Sequence, residues 1–164
     1  MGMVLCLRSA SLEQLANLRA DAAAADNFLF DDAAYKAGEL VDFDKAWNAL
    51  QFMFTGCDAE SDHPLSFFPH NAERIGTDNG YGGPWVFTPS QVAAFHSALS
   101  MLSDQELKAK YDPATMAAND VYLADHLADE GEEGFEYVMQ SVPQLRDLVK
   151  RCSELNSAMI GIIT

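Results

Sequence analysis

Residues 42–56 read DFDKAWNALQFMFTG, and the fold turns on how this stretch is taken. Phe43, Trp47, Leu50 and Phe54 recur at steps of four, three and four. That spacing lines side chains along one face of a helix. Ala46, Ala49 and Met53 widen the face until it belongs against a core. Asp42 or Asp44 offers a cap, and Thr55-Gly56 offers a stop, because glycine suits the left-handed conformation past a helix end. The polar positions, Lys45, Asn48 and Gln51, are not usual catalysts. The stretch therefore reads as a core helix and not as a site.

Outward from it, towards the start, residues 3–8 alternate weakly and predict a short strand. Ser11 with Gln14 is a capping-box signature, opening a helix that the alanine run carries to Ala25. Residues 26–41 predict one irregular helical turn around 33–37 before Gly38. In the other direction, residues 57–84 form a long connection with too many apolar anchors for disorder: Leu65, Phe67, Phe68, Ile75 and Tyr81, with Trp85 just beyond. An ordered covering loop is expected, with turns at 78–80 and 82–84 and a short strand at 85–87. Thr88-Pro89-Ser90-Gln91 and Ser103 with Glu106 open two more helices, and Asp112-Pro113 a third. The segment DEGEEG breaks the pattern. A last helical region from Phe135 to Cys152 is divided or kinked by Pro143. Asn156 then turns the chain into a β-prone strand at 157–163. The expectation is a single α+β domain, with several helices packed on a small sheet that includes both terminal strands.

At 164 residues and 49% hydrophobic, the chain is the size of one domain. No apolar run approaches the ~18 residues of a membrane span. The start lacks the pattern of a secretory leader. Three scattered cysteines, Cys6, Cys57 and Cys152, fit reduced thiols in a cytoplasm. Twenty-five acidic against ten basic side chains give a net charge of −15. Such a surface repels nucleic acid, which needs clustered Lys and Arg.

Four segments together resemble one family: FDKAWNALQFMFTG (43–56), GPWVFTPSQV (83–92), YDPATMAANDVY (111–122), and the C-terminal helix with its final strand. With the MGM start, they are similar to the YfbM-like family of small bacterial proteins, a domain of unknown function. The resemblance spans nearly the whole chain. It implies an α+β fold and a bacterial origin, and it carries no catalytic residues. Some members place histidines in the Asp-Lys-x-Trp helix, where this chain has Asn48 and Gln51.

Two function classes follow. Asp129, Glu130, Glu132, Glu133 and Glu136 crowd the junction of a loop and a helix start. Acidic side chains there favour the helix dipole, and they also steer a basic protein partner. Small acidic proteins that neutralise basic toxins share this composition. The other class is a small hydrolase using the 57–85 loop, with His63, His70, Asp78 and Tyr81 as the candidate pocket. Against it, no G-x-S-x-G elbow is present, and Cys57 follows a helix C-terminus, the wrong end for lowering its pKa. Cys57, Asp58, His63 and His70 match no zinc-ligand spacing, so neither metal nor cofactor is expected. The reading settles on a protein-binding module.

Overall fold

The computed structural model describes residues 2–164. The chain enters strand β1 (Leu5–Ala10), and Ser11 and Gln14 form the expected capping box on helix α1 (Leu12–Ala20). The helix does not run on to Ala25. Asp21 turns extended at φ −135°, and its carboxylate takes the Ala23 and Ala24 N–H groups to start α2 (Ala22–Asn27). Asp31 repeats the device on the Ala33 and Ala34 N–H groups, giving α3 (Asp32–Lys36). A strand that the sequence reading did not foresee follows, β2 (Leu40–Asp42).

Helix α4 (Trp47–Thr55) carries the stripe as predicted: Phe43, Trp47, Leu50 and Phe54 are all buried. Neither aspartate caps it. Asp42 instead accepts the Asp44 N–H at 2.7 Å, Asp44 sits at φ 47°, and Ala46 holds the cap position with no side-chain bond to the helix. Gly56 ends it at φ 73°. Beyond the 57–84 loop come β3 (Trp85–Phe87), α5 (Pro89–Ser100), α6 (Asp104–Lys110) and α7 (Pro113–Ala118). The last elements are α8 (Ala124–Glu130), α9 (Glu132–Met139), α10 (Val142–Glu154) and β4 (Ala158–Ile163). Capping boxes form at Thr88–Gln91 and Ser103–Glu106. The DEGEEG segment interrupts helix only at Gly131, and Pro143 sits in the first turn of α10, separating it from α9.

The strands form one antiparallel sheet in the order β2-β1-β4-β3. The two terminal strands pair from Leu5 opposite Ile163 to Ala10 opposite Ala158. The first is displaced two residues from the predicted 3–8. Val4 and Thr164 extend the pairing with reciprocal 2.9 Å bonds. Every position of β4 is buried, because both faces of the sheet are covered. Leu5, Leu7, Trp85, Phe87, Met159 and Ile163 face the larger core, shared with α4, α5 and α10. Ala10, Leu40, Val86, Ile160 and Ile162 face a smaller one, closed by Leu15 and Leu18 of α1 and Ala25 of α2. Gly161 has a specific reason to lack a side chain. The Trp85 ring lies across it, and a Cβ there would stand 2.6–2.8 Å from the indole atoms. The ring is held in turn by a 3.0 Å bond from its N–H to the Phe67 carbonyl.

Candidate functional site

The polar residues of α4 prove to be the fasteners of the long loop. Gln51 is 0% exposed. Its amide nitrogen donates to the Ala59 carbonyl at 2.9 Å and to Ser66 Oγ at 3.0 Å, and its oxygen accepts the Phe67 N–H at 2.7 Å. Asn48 donates to the Asp58 carbonyl at 2.9 Å and accepts the Tyr122 N–H at 2.7 Å. So seated, Phe67 fills the core between Phe43, Phe54 and Phe95, with ring centroids 5.0, 5.7 and 6.0 Å away. Leu65, Ile75 and Trp85 are buried as expected, and Phe68 is half-buried. Tyr81 is no anchor, being 46% exposed.

The loop folds back on itself between Ser61 and Pro69. There it walls a hollow of about 210 Å³ over Phe87 and α5, lined by His63 and His70 among others. Two of the four pocket candidates thus meet. Asp78 and Tyr81 do not line it. Asp78 is spent on its own turn, accepting the Gly80 and Gly82 N–H groups at 2.8 and 2.9 Å, and these bonds hold its carboxyl below the usual range. That turn is tied to the far end of β4 by Asn79, which donates to the Ile163 carbonyl at 2.7 Å.

The chemistry of the hollow is narrow. His63 Nδ1 accepts the Leu65 N–H at 3.1 Å, so the neutral ring carries its proton on Nε2. In that state the ring offers a donor and no free base. Ser66 is buried, and its hydroxyl donates to the Phe68 carbonyl at 3.0 Å. His70 Nδ1 lies 3.4 Å from Glu60 Oε2. Among the described residues, no three His, Cys, Asp or Glu side chains gather closely enough to hold a metal ion. The half-buried Cys6 thiol is pushed up to about 12 by burial and by nearby Asp42, and burial raises Cys152 to about 11. Neither is a thiolate at neutral pH.

The acidic segment spans the break between α8 and α9. Asp129, Glu130, Glu132, Glu133 and Glu136 are all exposed. Glu132 is paired with Lys108. Glu132 and Glu133 occupy the first turn of α9, where the helix dipole favours them. Asp129 in the last turn of α8 and Glu136 in the second turn of α9 lie outside that effect. Glu130 and Glu132 together help hold the Tyr111 phenol un-ionised, after its burial.

These features define a small α+β domain: a four-stranded antiparallel sheet covered on both faces, with a loop-walled hollow and a strongly acidic exterior. The chain belongs to the family described as a domain of unknown function (DUF1877), which matches residues 1–162. Its fold is similar to the crystal structure of YfbM from Escherichia coli, a protein of unknown function. The TM-score is 0.65 and the identity 16%, over 98% of this chain and 99% of that one. No curated protein matches the sequence.

Proposed function

We propose that the protein is a non-enzymatic binding module whose acidic exterior engages a basic protein partner in the cytoplasm. One observation carries this reading: the chain's cations are too few to offset its carboxylates, 10 Lys and Arg against 25 Asp and Glu, and each arginine already has a partner within the chain. Arg8, Arg19 and Arg146 are paired with Asp31, Glu73 and Asp104. Arg74 donates to the Gly83 carbonyl, and Arg151 to those of Ala37 and Gly38. Lys36, Lys110 and Lys150 are exposed as well, but ten cations against 25 carboxylates leave a net negative field facing solvent, which speeds encounter with a cation and repels nucleic acid. An immunity-like role against a basic toxin has this character.

The test begins with capture from the source cell at low salt and elution at high salt. Association rates of the recovered partner are then measured for wild type and for Glu133→Lys with Glu136→Lys. Steering by exposed charge is screened over a Debye length of ~8 Å at physiological ionic strength. The double variant should therefore associate more slowly and with a shallower salt dependence. Equal rates and equal salt slopes would remove the acidic segment from the binding surface. The second reading, a small hydrolase, draws support from His63 and His70 sharing one hollow. Stabilisation by a metabolite panel, lost in His63→Ala, would favour it over the binding module.

A further inference from the structure

Strand β2 is the outer strand of the sheet on the side where α3 packs. Between them runs a groove of about 440 Å³. Leu29 and Leu40, both buried, line it. Phe30 and Tyr35 also line it, yet are 64% and 59% exposed. Single exposed apolar residues are ordinary, but two large aromatics over one apolar floor make a patch. Aromatic side chains of this kind dominate the energetic centres of protein interfaces.

The charged side chains that line the groove have one sign. Exposed Asp32 and Asp42 line it, and no Lys or Arg does. Arg8 is buried, its guanidinium carbon 4.0 Å from the centre of the Phe28 ring and its tip 3.2 Å from Asp31, itself a lining residue, and exposed Lys36 follows Tyr35 at the end of α3. The acidity continues beyond the groove. Asp42 holds the Asp44 N–H, and Asp44 accepts the Tyr137 hydroxyl at 2.9 Å. A second copy of the chain would bring a further charge of −15 and be repelled.

We infer that this groove seats a basic segment of a partner protein. An apolar side chain of that segment covers Leu29 and Leu40, and a neighbouring Lys or Arg lies between the two aromatic rings and the two aspartates. Cations bind both aromatic faces and carboxylates, and the combination distinguishes this occupant from a purely apolar one. The assignment rests on the basic-partner reading and names where that partner docks.

The test titrates the isotope-labelled full chain at low salt with three short synthetic peptides: alternating Arg-Leu, oligolysine and alternating Glu-Leu. Backbone amide resonances are followed. The Arg-Leu peptide should move Phe30, Tyr35 and Asp42. Replacing Phe30→Ser with Tyr35→Ser should weaken it about tenfold, as loss of interface anchors does, and Tyr35→Phe should leave it bound. If both basic peptides bind equally and move only residues 129–136, the groove assignment fails while the basic-partner reading stands. If neither basic peptide binds, both fail. If Glu-Leu binds as well as Arg-Leu, charge does not select the occupant and the groove assignment fails.

Discussion

Gln51→Leu isolates the fastening of the loop, because it removes three hydrogen bonds at nearly constant volume. A net hydrogen bond contributes about 1 kcal/mol, and a buried donor left unpaired costs about 1–3 kcal/mol. The three partners differ. Ala59 is exposed, so its carbonyl regains water. Ser66 keeps its bond to the Phe68 carbonyl. The Phe67 N–H is buried beside the aromatic cluster and has no other partner, so the cost concentrates there. The sum is a loss of about 2–4 kcal/mol, to be read from urea unfolding. Amide exchange should show where the loss falls. Leu65 and Phe67 should exchange faster at denaturant concentrations that leave β4 protected, since the loop opens before the sheet. A loss below about 0.5 kcal/mol would sink this account, because that is the scale of an ordinary surface substitution. So would uniformly faster exchange across loop and sheet.

Other predictions follow from the same packing. Trp47→Ala should cost about 3–5 kcal/mol, since the ring is buried against Phe68 and its N–H donates to the Met3 carbonyl; free quenching of its fluorescence in the wild type would contradict this. Gly161→Ala should cost about 1–3 kcal/mol by driving a methyl group into the Trp85 ring, and an unchanged melting temperature would show that the ring yields. Deleting residues 157–164 should abolish the cooperative melt, because β1 loses its longer pairing and β3 loses its link to the sheet. Asp26, bonded through Thr77, and Glu73, bonded through Arg19, titrate below their usual range when folded. Their contribution is therefore complete above the ordinary carboxylate range and is lost as pH falls through that range towards the lower folded values. Asp26→Asn should flatten the acid limb of the stability curve; a curve parallel to wild type would refute it.

What the sequence disclosed was local. The boxes at Ser11, Thr88 and Ser103 are reciprocal bonds over three residues, so four letters suffice to read them. The stripe of α4 was legible because a helix repeats its face within two turns. Strand β2 was not, since three residues show no alternation and its partner β1 lies some thirty residues away. Asp21 misled because an aspartate that breaks one helix to cap the next looks like any polar position in an alanine run. The pocket candidates divided for a similar reason. His63 and His70 meet because the chain doubles back between Ser61 and Pro69, while Asp78 closes a separate turn beside β4. Neither event has a periodicity to announce it. The fastening role of Asn48 and Gln51 was half visible: a helix apolar on most sides must bury its amides, and buried amides must find partners.

The placing of β4 between β1 and β3 bears on how the chain is made in the cell. It leaves the ribosome after the three strands it joins, yet those strands meet only through it or through β1. Translation runs at about 5–20 residues per second, so roughly 6–23 s separate the emergence of β2 from that of β4. During that interval β1 and β2 have one edge unclaimed, and Trp85 and Phe87 wait without the surface that covers them. Until β4 arrives, the helices that share the larger core are what the nascent chain has to shelter those residues.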